Sequence, residues 1–461
     1  MTTTNPQRDP ITIAKPAEIA GTRRGPIGRI AAGSLATGLL GAMSLTLVVF
    51  AGAPEHVIAG SGLLAFGLSW AMLAGLASRL TNQPQRWALV PAAVMATTGL
   101  GLLILAPGDE AITTAGWIWP PVALAMASWM AVQARQSLHT RARAWLVYPV
   151  LALLAVAAVG GGYETVRVTL DRSAYAMPGQ SYDVGGHRLH LNCAGSGSPT
   201  VVLKSGLGET SPMWSRITTP VSRTSRVCAY DRAGQGWSGT AQHPQDGLAV
   251  AADLHTLLGR AGESGPYVLV GHSTGGTYAM SYAAQYPTDV AGMVLLDSAS
   301  PDQFTVLPDY PAQYTTMRVG LALLPSLGRL GIGQLISSSV GSTLPGPAAA
   351  QAHAFATSAR DMRSGRDELS TYHDVFTQAQ ALTTLGSKPL VVLTTTESLQ
   401  GTRGWSKAQD RMATLSSNSR HSVVDATHPG LLSDQHGAES SVRAIEDVVH
   451  SVRTGQPLTS R

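Results

Sequence analysis

Gly271-His272-Ser273-Thr274-Gly275 follows the apolar run Tyr267-Val-Leu-Val270 and precedes a helix-like segment from Gly276 to Tyr286. The order is strand, sharp turn, helix, with a serine at the tip of the turn. Small residues flank the serine because such a turn forces backbone angles that bulky residues resist. The geometry lifts the hydroxyl out of the sheet and aims the next N–H groups at whatever the hydroxyl attacks.

Outward from this turn, strand-like and helix-like segments alternate. The strand patterns are Arg188–Cys193, Thr200–Lys204, Arg226–Tyr230, Tyr267–Val270, Gly292–Leu296, Pro389–Thr394 and Ser422–Asp425. Helical patterns at Val250–Leu258 and Ser440–Val449 carry apolar residues on one face. Alternation of this kind implies a mostly parallel sheet covered on both sides, with ligands bound beyond the carboxyl ends of its strands. Ser273 stands at such an end. The 85 residues from Pro301 to Leu385 interrupt the alternation.

A serine hydroxyl needs a base to take its proton and an acid to orient the base. Of thirteen histidines, His428 lies just past the last strand and before the last helix. His421 precedes that strand, and His436 falls eight residues later. His272 reads as a packing residue. Three acids compete: Asp297 at the end of the strand after the serine turn, Glu397 one strand further, and Asp302 in the loop after Asp297. Negative charge developing on a substrate oxygen needs N–H donors. The backbone of Thr274 offers one, and Leu207 in Lys204-Ser-Gly-Leu-Gly208 offers the other.

The N-terminal part is of a different kind. Residues 1–180 carry a net charge of +5, and the remaining 281 a net of −1. The basic balance therefore belongs to the N-terminal part, which argues against a nucleic-acid-binding surface on the rest. Five stretches lack Asp, Glu, Lys and Arg: Ile30–Pro54, Val57–Ser78, Trp87–Gly108, Ala111–Ala134 and Ala144–Tyr163. Each has 20 to 25 residues, and roughly 20 cross a bilayer core as a helix. Ten Lys and Arg lie in the tail and the even-numbered links (Arg8, Lys15, Arg23, Arg24, Arg29, Arg79, Arg86, Arg135, Arg141 and Arg143). The other two links hold only Glu55, Asp109 and Glu110. By the positive-inside rule the N-terminus is expected in the cytoplasm and the C-terminal domain outside the cell membrane. Arg23-Arg24 and Ala51-Gly-Ala53 also fit a cleaved leader, a reading that four further apolar stretches oppose. The expected organisation is a cytoplasmic tail (1–29), five transmembrane helices (30–163), a linker (164–180) and an α/β domain (181–455).

Residues 181–453 resemble the α/β-hydrolase fold family. The resemblance rests on Ser205-Gly-Leu-Gly208, Asp231-Arg-Ala-Gly-Gln-Gly-Trp-Ser238, the serine turn, Leu295-Leu-Asp-Ser298 and His428, in family order. It implies an eight-stranded-type sheet, a helical cap over about 301–385, a structural role for Asp231 and a Ser273-Asp297-His428 triad. Many members carry the acid after the strand that ends here at Glu397, within a Gly-x-x-Asp loop that this chain lacks. Others, some haloalkane dehalogenases among them, carry it 24 residues after the nucleophile, and Asp297 is 24 residues after Ser273. Serine at the turn implies ester, thioester, lactone or amide chemistry through an acyl-enzyme, without cofactor or metal, on a small-molecule or lipid-like substrate. In the family's sheet order the strands of Cys193 and Cys228 are neighbours. A disulfide and two buried thiols both remain open. A membrane transport or signalling protein whose hydrolase-like domain only binds ligand is the competing reading.

Overall fold

Apolar sequence without charges folds as helix wherever it is long enough to satisfy its own backbone. The computed structural model describes Met1, Thr2 and residues 27–458 other than 140, 142 and 338. The tail charges at positions 8, 15, 23 and 24 lie outside the described residues. The N-terminal helical module comprises α1 (Ile27–Ser44), α2 (Glu55–Leu80), α3 (Leu89–Leu105), α4 (Asp109–Ala115), α5 (Trp119–Ser137) and α6 (Tyr148–Ala174). Four of its helical stretches are long and apolar enough to cross a membrane: Ile27–Val49, Glu55–Leu80, Arg86–Leu105 and Trp145–Ala174.

Two features depart from the sequence reading. The fourth charge-free stretch is broken: α4 and α5 meet at 45° and count as a fifth crossing only as a bent pair. Pro120 and Pro121 sit in the first turn of α5, where a missing N–H costs nothing but where α4 cannot run straight through. The expected linker is mostly helix, because α6 continues to Ala174. Arg167 bonds Glu164 at 2.9 Å and Asp171 at 2.5 Å. These pairs, three and four residues apart, support a helix beyond its apolar part.

The remainder is built on one eight-stranded sheet. Its strands are β1 (Gln180–Asp183), β2 (Arg188–Ala194), β3 (Val201–Lys204), β4 (Val227–Tyr230), β5 (Tyr267–His272), β6 (Val290–Leu296), β7 (Leu390–Thr395) and β8 (Ser419–Val424). Their order is β1-β2-β4-β3-β5-β6-β7-β8. β2 is antiparallel to β1 and β4, and every other pairing is parallel. Side chains alternate across the sheet. Leu203, Val270, Val294 and Val391 meet Trp214, Ile217, Ile445 and Val448 on one face. Val202, Leu269, Met293 and Val392 meet Leu254, Leu257, Met280 and Tyr282 on the other. Burial on both faces explains why these strands read as unbroken apolar runs.

Helices α7 (Ser215–Val221), α8 (Gly247–Ala261) and α9 (Gly275–Gln285) connect the earlier strands. The segment after β6 forms a helical cap: α10 (Gln303–Val306), α11 (Tyr310–Arg329), α12 (Gly333–Ile336), α13 (Pro347–Ala356), α14 (Ala359–Ser370) and α15 (Tyr372–Ala379). Aromatic rings of Phe304, Tyr310, Tyr314, Tyr372 and Phe376 form the cap's own core. Helices α16 (Thr396–Gly401), α17 (Trp405–Ala413), α18 (Gly430–Ser433) and α19 (Gln435–Thr454) complete the domain.

The cap also meets the helical module. Arg329, at the end of α11, bonds Glu55 at 2.5 Å and Asp109 at 2.8 Å. Both carboxylates come from the acidic links between apolar helices.

Candidate active site

Three strand ends converge at the carboxyl edge of the sheet. β5 ends at His272, and Ser273 follows with φ 55°. β6 ends at Leu296, and Asp297 follows with φ 41°. Among the described residues the only other non-glycine with positive φ is Ala106. A positive φ costs of order 1–3 kcal/mol and persists where the surroundings over-determine it. Here the two strained turns are tied together. The Ser273 N–H donates to the Leu296 carbonyl at 3.1 Å, and the Ala299 N–H donates to the Ser273 carbonyl at 3.0 Å.

His428 sits in the loop after β8. Its Nδ1 is 2.6 Å from Asp297 Oδ2. The Asp297 carboxylate is fully buried and accepts from four other donors. They are Ser398 Oγ at 2.5 Å, Thr395 Oγ1 at 3.0 Å, Trp405 Nε1 at 2.9 Å and the Thr395 N–H at 3.3 Å. Burial pushes its pKa up, but the hydrogen bond and charge of His428, with Ser398 and Trp405, outweigh burial. They hold the carboxyl below its ordinary value. Glu397 lies in α16, and its Oε2 accepts the backbone N–H of His428 at 2.6 Å. It grips the loop, whereas Asp297 grips the ring. Asp302 is bonded elsewhere, to Arg411 at 3.1 Å.

Two residues unremarked or discounted in the sequence support His428 from behind. His272 is fully buried, its Nε2 is 3.0 Å from the His428 carbonyl, and the two rings are 4.6 Å apart. Glu209 pairs with His272 at 2.7 Å. Burial pushes the Glu209 carboxyl up, but the His272 imidazole holds it below its ordinary value. Burial pushes His272 down, and the same carboxylate carries it above.

The Ser205–Gly208 loop lies against the serine. A Cβ on Gly206 would stand 2.8 Å from the Ser273 Cβ, so only glycine fits there. Glu209 Oε2 accepts the Gly206 N–H at 2.6 Å. Among the described residues, the N–H groups of Leu207 and Thr274 meet no protein acceptor. Beneath the loop, Arg232 donates to the carbonyls of Ser205 at 2.5 Å and Gly206 at 2.8 Å. Asp231 is wholly structural in its contacts: it accepts the Ser211 N–H at 2.6 Å and meets His190 at 2.8 Å.

The sulfurs of Cys193 and Cys228 are bonded to each other, between directly paired residues of β2 and β4. With Glu263 they are close enough to suggest a metal cluster, but bonded sulfurs are not thiolate ligands.

A family model for the alpha/beta hydrolase fold matches residues 199–331. An uncharacterised protein of Bacillus subtilis (strain 168), YbdG, is 28% identical over 163 residues, which is 34% of this chain and 50% of that protein. The probable transporter efuK of Hormonema carpetanum is 29% identical over 140 residues, 29% of this chain and 20% of its own length. The chain thus spans about half or less of the length of curated relatives it matches. The Cif epoxide hydrolase from Acinetobacter nosocomialis superposes with a TM-score of 0.50 and 17% identity, over 61% of this chain and 95% of that one. That likeness is one of fold. The domain that carries Ser273, Asp297 and His428 therefore belongs to the α/β-hydrolase fold family.

Proposed function

We propose that the chain is a membrane-anchored serine hydrolase that cleaves an ester, thioester, lactone or amide. The observation that carries the reading is the Asp297–His428 contact of 2.6 Å beside a serine held at positive φ. With its Nδ1–H given to Asp297, His428 keeps Nε2 as the basic nitrogen. In this reading Nε2 takes the Ser273 proton while Oγ adds to the substrate carbonyl. The oxyanion is met by the N–H groups of Leu207 and Thr274. His428 then gives the proton to the leaving group, and water releases the acyl group by the same steps in reverse. The apolar helices support a place in the cell membrane, and the acidic links support a hydrolase domain outside the cytoplasm.

Fluorophosphonate labelling of the full chain in detergent or nanodiscs tests the reading. Wild type should label and turn over short acyl esters. Ser273→Ala should abolish labelling and lower turnover by several orders of magnitude, because triad members act as a unit. A Ser273→Ala protein that keeps most of the wild-type activity would sink the assignment. An unreactive wild type would favour a domain that only binds ligand.

A further inference from the structure

Helix α14 touches the N-terminal module on one side and the serine site on the other. Toward the module, Arg366 Nη2 donates to the Gly52 carbonyl at 3.2 Å and Arg363 to the Pro107 carbonyl at 3.5 Å. Arg363 also lies 3.6 Å from Glu55, and Arg360 lies 3.9 Å from Asp109. The Ala359 N–H at the start of the helix donates to Glu164 of α6 at 3.4 Å. Neighbouring α11 adds the Arg329 bonds to the same Glu55 and Asp109. The module thus meets these two cap helices mainly through its acidic links.

Toward the site, Glu368 holds Arg232 through both carboxylate oxygens, at 2.9 and 2.8 Å. Both side chains are almost fully buried, 5% and 6% exposed. Arg232 passes the constraint on to the Gly206 carbonyl at 2.8 Å. That carbonyl and the Leu207 N–H belong to one trans peptide plane, in which C=O and N–H point in opposite directions. Fixing the carbonyl beneath the loop therefore fixes the N–H on the loop's other side. Glu368 also lies 3.5 Å from the Thr274 hydroxyl, next to the second donor. A cavity of about 290 Å³, lined by Asp109, Arg232, Arg363, Arg366 and Glu368, separates the two ends. It leaves α14 room to shift if the contacts to the module are cut.

We propose that α14 is a strut through which the N-terminal module orients the Leu207 N–H, with Glu368 and Arg232 as positioning residues. The proposal rests on the reading of Ser273 as nucleophile and of this N–H as an oxyanion donor. Such a donor bonds the transition state more strongly than the ground state, so its misalignment lowers kcat and leaves KM nearly unchanged. Losing a donor outright costs about 10²–10³ in kcat. A donor turned away by a shifted strut costs less.

The test uses the full chain in lipid nanodiscs, with a p-nitrophenyl acyl ester and a fluorophosphonate as probes and thermal melting as the check on folding. Three variants form a cycle: Glu368→Gln, the pair Glu55→Gln with Asp109→Asn, and all three substitutions together. Glu368→Gln and the pair should each lower kcat and the labelling rate by about tenfold, with KM within twofold. The triple variant should be no slower than the slower of these two, because both act through one helix. Glu110→Gln, an exposed neighbour in the same link, should match wild type. The strut is wrong if the Glu55/Asp109 pair keeps wild-type kcat, or if the effects of the two ends multiply. Should the pair fail to fold, Glu55→Gln and Asp109→Asn enter the cycle singly under the same criteria. A wild type that neither labels nor turns over ester sinks the hydrolase reading itself and takes the strut with it.

Discussion

Glu397 holds His428 by its backbone, with Oε2 accepting the N–H at 2.6 Å. The ring of the same histidine is held at the same distance by Asp297. The two carboxylates therefore do different work, and substitution should separate them. Asp297→Asn should lower kcat by about 10⁴ by favouring the wrong imidazole tautomer. Glu397→Gln keeps an acceptor oxygen for the N–H and should stay within about tenfold of wild type. Steady-state kinetics on both variants decides. A dead Glu397→Gln beside a working Asp297→Asn would move the acid to α16.

Trp405 donates to Asp297 from the far side of the carboxylate, at 2.9 Å. Trp405→Phe removes that donor and should raise the Asp297 pKa, which now lies below the ordinary value partly through this bond. A more basic carboxylate binds the imidazolium more tightly and raises the His428 pKa in turn. The acid limb of kcat/KM should move to higher pH, with the maximal rate reduced about tenfold. An unmoved limb would mean that this hydrogen bond does not tune the pair.

Asp361 is buried in α14 and accepts the Gly236 N–H at 2.8 Å. Burial pushes its pKa from 3.8 up to about 6. A raised carboxyl stabilises the fold below pH 3.8, and that contribution is lost as the pH rises through about 6. The shift corresponds to about 3 kcal/mol. Asp361→Asn stays neutral throughout. It should melt like wild type at pH 3.5 and higher than wild type at pH 7.5. Equal melting at both pH values would show that Asp361 ionises in the fold without cost.

The Cys193–Cys228 bond closes a loop of 35 residues that contains the Ser205–Gly208 segment. Constraint of the unfolded chain by such a loop is worth about 3–4 kcal/mol. Cys193→Ser with Cys228→Ser should lower the melting temperature by several degrees while kcat at 25 °C stays within about twofold. Unchanged melting would mean that the sheet edge is already secured by its ladder.

A reporter active only outside the cytoplasm should be silent when fused after Arg141 and active when fused after Gly455. The charge distribution of the links requires that pattern. The reverse pattern inverts the topology, and two active fusions mean that α4 and α5 do not cross as one span.

Some of this architecture is written locally and some is not. Strands β3 to β7 are legible because each is a short apolar run bounded by turn residues. β1 is not, because Gln180–Asp183 is polar and exists only as an edge on β2. The break at residues 116–118 escapes a count of charges, which says nothing about helix continuity. The helical run after position 163 escapes it for the opposite reason, since charged residues there pair with one another along α6. At the site, spacing singles out Asp297. It cannot name Ser398 or Trp405, which reach Asp297 across 101 and 108 residues. Glu368 lies 136 residues from Arg232 and carries no local signature at all. Contacts of that range depend on how whole elements pack, and a periodic pattern records only which face of an element is apolar.

The position of Thr395 has a consequence of its own. It ends β7, the strand from which many relatives present the acid, and here it offers Asp297 both its hydroxyl and its N–H. Two adjacent strand ends have divided one hydrogen bond between them, the acceptor on β6 and the donors on β7. Their polarity is opposite to the arrangement in which the later strand is acidic. Moving a carboxylate to the β7 end would place two anions one strand spacing apart, about 4.8 Å. The site therefore tolerates an acid at either strand end, but not at both.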